Sequence, residues 1–357
     1  MISERLAHLR AFLAERAVDA IVINKEVNLH YFSGFRGDDT LLLVAKDQAI
    51  LITDFRYTEQ AAAQAPLFEI VEQQQGLLKK TAECIQKAGW KKIAFEGNAL
   101  FYDDYSKLSA LLTGCSFQTA LNLSPLRVIK EDEELECIQK AVAISDAAFE
   151  DIVQFIRPGK SENEVAARLE TVMRSLGSER PAFTTIVASG VRGSLPHGIA
   201  TEKLIVDGEF VTMDYGAVYK GYHSDITRTV CVGHADASHR ALYDTVLQAQ
   251  LLGVKLVQPG VSGKSVDKAV RDQLSAAGYE KNFGHGLGHS LGLEIHEEPR
   301  LSPSSTCESL APGMLITVEP GVYLPGWGGL RIEDTVLITA AGGVPLTRSS
   351  KQFIEIL

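Results

Sequence analysis

The segments FIRPGKSENEVAARLETVMRSLG (155–177) and LVQPGVSGKSVDKAVRDQLSAAG (256–278) align at a constant offset of 101 residues. Pro158, Gly159, Ser161, Val165 and Gly177 fall on Pro259, Gly260, Ser262, Val266 and Gly278. Each segment continues into two β-rich runs, GEFVTMDYG (208–216) then SDITRTV (224–230) in the first copy, GMLITVEPG (313–321) then IEDTVLI (332–338) in the second. The offset drifts to 105 and then 108 across these runs, as loops of unequal length require. A period of about 100 residues far exceeds the roughly 20 to 50 of solenoid repeats. The pattern therefore predicts two similar half-domains facing each other across a pseudo-two-fold axis, with a cleft between them.

Upstream of the repeat the chain reads differently. DAIVIN (19–24), TLLLVA (40–45), QAILIT (48–53) and KIAFEG (92–97) are strand-like, and between them DFRYTEQAAAQ (54–64) and GLLKKTAECIQKAG (76–89) have helical composition. This predicts a small mixed α/β domain. Pro125 then interrupts regular structure, the charged run 130–136 reads as a solvated helix start, and apolar positions recur at helical spacing from Leu135. The expected layout is a domain over 1–125, a linker over 126–132 and a second domain over 133–357, in an α/β (α+β) protein. Two domains also suit 357 residues at about 150 per domain.

Composition narrows the function. Apolar residues are 45% and charged residues 22% of the chain, enough to build cores and too balanced for bulk disorder. Thirty-five Lys and Arg against 45 Asp and Glu leave a net charge of −10, which disfavours nucleic acid, whose binding rests on basic charge meeting phosphate. The five cysteines are scattered, without a C-x-x-C, so neither a disulfide framework nor a thiolate zinc site is legible and a reducing cytoplasm is expected. No apolar run reaches the roughly 18 residues of a membrane span. Near the N-terminus Ile2, Leu6, Leu9 and Leu13 recur at helical spacing among Glu and Arg, which describes a surface helix and no export or anchor signal.

Four acidic positions are duplicated with the strands. Alternation puts Thr212 and Asp214 on one strand face, opposite Val211 and Met213, and Thr317 with Glu319 repeat the pattern. In the following strands Asp225 lies two residues from Thr227, and Glu333 two from Thr335. One strand carboxylate is ordinarily solvent-facing; four recurring at equivalent positions are not explained that way. Two unit charges 4 Å apart cost about 4 kcal/mol at an effective dielectric of 20, so converging carboxylates need positive compensation. GHGLGHSLGLEIHEEPR (284–300) offers His285, His289 and His296 nearby. Imidazole with carboxylate oxygen is a ligand mixture for Mn, Co, Fe or Zn, and two divalent ions would offset four carboxylates, implying a dinuclear hydrolytic site.

Other motifs carry less. GHGLG lacks the spacing of a dinucleotide loop, and GVSGKS has Gln258 where a Walker loop needs its first glycine. Ser194 lacks the G-x-S-x-G elbow of a nucleophile. His8, His30, His223, His234 and His239 are read as surface or structural.

At the acidic and histidine segments the chain resembles a known family. LPHG, VTMDYGAVYKGYHSDITRT, FGHGLGHSLGLEIHEEPR, TVEPGVY and GGLRIEDT are together similar to the Xaa-Pro peptidases of metallopeptidase family M24, prolidase and aminopeptidase P. ITDFRYTEQA and NLHYFSGF extend the resemblance to the family's N-terminal domain, so that it covers essentially the whole chain. It implies a pita-bread fold for the C-terminal domain and a creatinase-like N-terminal domain. It implies the metal ligands Asp214, Asp225, His289, Glu319 and Glu333, with manganese the first expectation and cobalt, iron or zinc the alternatives. Creatinase shares the architecture without the metals, and methionine aminopeptidase shares the ligands but usually lacks so large an N-terminal domain.

The resemblance also implies roles. Asp225 and Glu333 would bridge two metals, Asp214 completing one site and His289 and Glu319 the other, with Glu319 also the general base. His197 and His296 would hydrogen-bond the substrate and the tetrahedral intermediate. His285 and Arg331 would stand behind the ligands, Arg331 bracing the carboxylates. Phe183 and Tyr323 are candidates for the apolar wall that receives proline. Arg300, four residues after His296, would grip the free carboxylate of a dipeptide, unless it is a surface arginine paired with Glu297 or Glu298. The expected substrate is a proline-containing dipeptide or oligopeptide, dipeptides favoured, and the expected assembly a homodimer in which the N-terminal domain restricts a partner's cleft. The rival reading is a non-catalytic binding protein on the same fold.

Overall fold

The apolar stripe Leu6, Leu9 and Leu13 is buried along helix α1 (Ile2–Glu15) in the computed structural model, which describes residues 1–357. The chain divides into a unit of Met1–Arg127 and a unit of Val128–Leu357. In the first, β1 (Ala20–Ile23), α2 (Glu26–Ser33), β2 (Leu41–Ala45), β3 (Ala49–Thr53), α3 (Thr58–Gln64) and β4 (Glu69–Glu72) are followed by α4 (Leu77–Ala88), β5 (Lys92–Glu96), α5 (Tyr102–Leu111) and β6 (Ser116–Leu121). These strands form one six-stranded sheet in the order β4-β3-β2-β1-β5-β6. Every residue of β1, β2 and β3 is buried, which is why they read as unbroken apolar runs. The two strands that apolar patterning misses, β4 and β6, lie at the edges, where β4 buries no residue and β6 only Phe117. Half-exposed edges carry little hydrophobic signal.

The second unit opens with α6 (Asp132–Phe155), α7 (Glu162–Ser175), β7 (Ile186–Ser189), β8 (Glu209–Tyr215), the ribbon β9 (Val218–Tyr219) and β10 (Tyr222–His223), and β11 (Ile226–Val232). Then come α8 (Ala237–Leu256), α9 (Gly263–Ala276), β12 (Gly288–Ser290), β13 (Glu297–Leu301), β14 (Leu315–Val318), β15 (Gly321–Leu324), β16 (Gly328–Arg331), β17 (Asp334–Thr339), β18 (Gly342–Pro345) and β19 (Glu355–Ile356). The repeat is visible in the packing. One core joins Val165, Leu169 and Met173 of α7 to Val211 and Met213 of β8. A second joins Val266, Val270 and Leu274 of α9 to Ile316 and Val318 of β14, the residues that the repeat equates with the first set.

The strand pairs differ in register. β8 and β11 are antiparallel with Asp214 opposite Thr227, whereas β14 and β17 set Thr317 opposite Thr335. Glu319 falls just past β14, since Pro320 has no N–H with which to extend the ladder. The two carboxylates are thus held by different backbone surroundings despite their equivalence in sequence. Gly288 is required for another reason: a Cβ there would meet the Thr317 carbonyl oxygen at 1.9 Å, so only glycine lets β12, with His289, lie against β14.

The charged run 130–136 opens α6 as expected and leaves Asp132, Glu133 and Glu136 exposed, but two of its charges depart from the sequence reading. Lys130 and Glu134 are buried, and Lys130 Nζ contacts Glu297 Oε2 at 2.7 Å with side chains 1% and 3% exposed. A charge run on its own looks solvated; here its partner lies 167 residues away and supplies the compensation that burial demands. No helix of the structure is long and apolar enough to cross a membrane.

Candidate metal centre

Asp214 stands near the end of β8, Asp225 immediately before β11, Glu319 after β14 and Glu333 before β17. The oxygens of Asp214, Asp225 and Glu333 lie within 4.8 Å of one another. His289 reaches the same place from β12, its Nε2 3.5 Å from Asp225 Oδ2 and 3.3 Å from Glu319 Oε1. His289 Nδ1 lies 3.0 Å from the Ser290 carbonyl, which can only accept, so Nδ1 carries the hydrogen and Nε2 keeps its lone pair towards the carboxylates.

Two threonines fix the carboxylates. The Thr227 hydroxyl accepts from Arg331 Nε at 3.0 Å and donates to Glu333 Oε2 at 2.7 Å. The Thr317 hydroxyl accepts from the His289 N–H at 3.0 Å and donates to Glu319 Oε1 at 3.0 Å. Each sits two residues from a ligand candidate, the spacing read in the sequence, but Thr227 serves a carboxylate of the other half. Arg331 Nη2 bonds Asp214 Oδ2, and Nη1 donates to the Tyr323 hydroxyl at 2.8 Å. That hydroxyl lies 2.9 Å from His285 Nε2, while His285 Nδ1 lies 2.7 Å from the Gly286 carbonyl. A chain of hydrogen bonds thus runs from His285 through Tyr323 and Arg331 to Asp214.

The electrostatics ask for positive charge. Burial, then the charges of Glu333 and Asp214, push the Asp225 carboxyl well above its usual range. Burial, then Glu319 and Asp214, do the same to Glu333. Glu319 rises to about 7, chiefly by burial, against the opposing Arg331 charge. His289 is lowered to about 4 by burial and so stays neutral, as a ligand must. Asp214 Oδ1 and Glu333 Oε1 are buried without a hydrogen-bond partner. Buried carboxylate oxygens left unpartnered beside a neutral imidazole suit divalent cations by donor type and charge.

A cavity of about 760 Å³ opens onto this centre. Asp214, Asp225, His289, Glu319 and Arg331 line it, together with Phe183, His197, His285, His296 and Arg300. Tyr323 does not line it: the ring is buried and its hydroxyl is taken up by Arg331 and His285. Arg300 is half-exposed, its Nε 3.4 Å from Glu298 Oε1. His296 packs on His289 with ring centroids 4.4 Å apart. Sequence reasoning passed over Asp267 and Arg271. Asp267 Oδ1 accepts from the Leu287 N–H at 3.0 Å, and Arg271 donates to the Phe283 and His285 carbonyls at 2.8 Å each, so the pair holds the loop leading to His289. Their i,i+4 spacing on α9 was the available signal.

The family models decide the lineage. Residues 136–340 match metallopeptidase family M24, and residues 5–129 match the creatinase/prolidase N-terminal domain. The chain belongs to family M24. Its fold is accordingly a creatinase N-terminal domain followed by an M24 pita-bread catalytic domain, and membership implies divalent metal ions. Among relatives of this M24 chain, the uncharacterized peptidase YqhT of Bacillus subtilis is 44% identical over 98% of this chain and 99% of its own. The structure of an Xaa-Pro dipeptidase from Bacillus anthracis matches with a TM-score of 0.96 and 43% identity, covering 99% of this chain and 100% of that one. An X-Pro aminopeptidase from Thermotoga maritima matches at 0.91 and 35%, with the same coverage.

Proposed function

We propose that this M24 chain is an Xaa-Pro dipeptidase that cleaves the bond between an N-terminal residue and proline. The observation that carries the reading is the convergence of Asp214, Asp225, His289, Glu319 and Glu333, with two buried carboxylate oxygens unpartnered among them. Asp214, Asp225, His289, Glu319 and Glu333 would together hold two divalent ions. Manganese is favoured over cobalt, iron or zinc because four of the five ligands are carboxylates. When bound, the ions would lower the pKa of a water and polarise the scissile carbonyl.

The rest of the chemistry belongs to the chain. Glu319, on the cavity wall beside His289, accepts a proton from the attacking water and passes it to the departing prolyl nitrogen. His197 and His296 line the cavity and donate hydrogen bonds to the carbonyl oxygen as charge builds on it. Arg331, bonded to Asp214 and Thr227, holds that carboxylate in one orientation, and Tyr323 with His285 holds Arg331. Phe183 supplies an apolar wall for the pyrrolidine ring.

Arg300 lines the cavity, which supports capture of a dipeptide carboxylate. Its contact with Glu298 supports the alternative, an aminopeptidase P acting on longer peptides. A manganese-supplemented assay comparing an Xaa-Pro dipeptide with an Xaa-Pro-Yaa tripeptide tests this: faster turnover of the dipeptide is expected, and preference for the tripeptide would favour the aminopeptidase. We further infer a cytoplasmic homodimer. Five free cysteines support the compartment. The exposed Phe55, Phe101 and Tyr102 of the first unit support a partner surface. A monomer by light scattering with full activity would refute the dimer.

A further inference from the structure

Loop 189–201 carries Pro196, His197 and Ile199 to the cavity, and both its ends meet one carboxylate. Glu162, the first residue of α7, has no exposed side-chain surface. Its Oε1 accepts from the Ser189 N–H at 2.8 Å and the Ser189 hydroxyl at 2.8 Å. Its Oε2 accepts from the Thr201 N–H at 3.1 Å, from the Thr201 hydroxyl at 2.7 Å, and from Arg192 Nη1. Each oxygen thus serves one end of the loop. Arg192 carries the connection onward, its Nη2 donating to the Ile199 carbonyl at 2.8 Å, two residues beyond His197.

The loop is not built to swing. A Cβ at Gly193 would meet the Gly329 carbonyl oxygen at 2.9 Å, and one at Gly198 would meet the Ala188 Cβ at 2.8 Å, so its backbone is packed close at two further points. Nor is Glu162 needed to cap its helix. Ser161 and Glu164 already form the capping box of α7, and the five donors on Glu162 come from outside that helix. A buried carboxylate is costly unless fully bonded, so its return must lie in what it holds.

The repeat separates fold from function here. At the offset of 101, Glu162 corresponds to Gly263. The backbone joint is common to both halves: the Glu162 N–H donates to the Lys203 carbonyl at 3.0 Å, and the Gly263 N–H to the Cys307 carbonyl at 2.9 Å. The carboxylate occurs only in the half whose loop carries His197. The second loop, with His296, is held instead by the Lys130–Glu297 pair.

We propose that Glu162 is the positioning residue of His197, closing the base of loop 189–201 so that the imidazole meets the substrate in one orientation. The proposal rests on the reading that His197 contacts substrate. It is tested by a double-mutant cycle of Glu162→Gln and His197→Ala in the manganese-loaded enzyme on an Xaa-Pro dipeptide, with trypsin cleavage after Arg192 as a second readout. Glutamine keeps the shape but turns an amide NH₂ towards the donors of one loop end. Glu162→Gln should lower kcat by about 10²-fold through misplacement of His197. KM should move less than about threefold, and metal content should not change. In the His197→Ala background the same change should add no more than about twofold, because the residue through which it acts is gone. Trypsin cleavage should accelerate at least about tenfold as the loop base opens. Thr201→Val, which removes one donor and leaves the carboxylate, should shift kcat and cleavage in the same direction by less, and serves if Glu162→Gln does not accumulate folded. Equal effects in both backgrounds, or unchanged kcat and cleavage in Glu162→Gln while His197→Ala is slow, would overturn the role of Glu162. Wild-type kcat in His197→Ala would overturn the reading of His197 itself.

Discussion

Replacing Glu333 with glutamine should move stability in opposite directions with and without metal. Without metal, the oxygens of Asp214, Asp225 and Glu333 within 4.8 Å of one another repel. At that separation and an effective dielectric of 20, one pair of full charges is worth about 3.5 kcal/mol. Protonation relieves part of it, since burial and neighbouring charge already push Asp225 and Glu333 upward, so a net stabilisation of about 1–2 kcal/mol is expected for the stripped variant. Glutamine suits the site sterically: its carbonyl oxygen can keep the Thr227 bond at 2.7 Å, and its NH₂ takes the place of the unpartnered Oε1, facing carboxylates. The assay is urea unfolding of EDTA-treated protein, followed by Trp327 fluorescence in a Trp90→Phe background, since the chain has two tryptophans, one in each unit. Added Mn²⁺ should stabilise wild type by about 2.7 kcal/mol at a hundred times its dissociation constant, and the variant by a fraction of that. If stripped Glu333→Gln were less stable than stripped wild type by about 1 kcal/mol or more, the repulsion argument would be wrong.

The same carboxylates set a pH dependence. A carboxyl raised in the folded state holds a proton that the unfolded chain has released, so its contribution is complete below about pH 4 and lost as pH rises through the folded value, about 7 for Glu319. The urea midpoint of stripped wild type should therefore fall from pH 5 to pH 8, and that of Glu333→Gln should fall less. Lys130→Met should destabilise the second unit by about 3–5 kcal/mol by leaving Glu297 charged and buried, and adding Glu297→Gln should recover part of the loss. An unchanged midpoint would make the pair dispensable. Asp225→Ala should lose activity and at least one metal equivalent, and two tightly held ions with normal turnover would refute its role in holding metal. Arg300→Ala should raise KM for an Xaa-Pro dipeptide far more than for an Xaa-Pro-Yaa tripeptide; equal effects would leave Arg300 as the surface partner of Glu298.

Local pattern made much of the molecule legible. β1, β2 and β3 announced themselves because burial on both faces favours apolar residues almost throughout, and the edge strands β4 and β6 stayed silent because much of each faces solvent. The carboxylate positions were legible for a different reason. A duplicated acidic residue two positions from a threonine recurs at equivalent strand positions, and chance exposure does not repeat itself at the offsets of the repeat.

Partnership between distant residues was not legible, because neither member of a long-range pair carries a mark of the other. Lys130 looked solvated until Glu297 was seen beside it. Tyr323 looked like pocket wall, whereas its hydroxyl links Arg331 to His285. Glu162 carries no mark in the sequence, and only the return of the chain at Ser189 and Thr201 makes it the base of a loop. Residue type, period and the repeat, all local or self-similar properties of the chain, determined the two-domain α/β layout and which side chains were available for metal chemistry. Tertiary structure decided which of those side chains meet, since bringing the carboxylates and His289 together depends on backbone crossings, such as β12 lying against β14 at Gly288, that no single segment encodes.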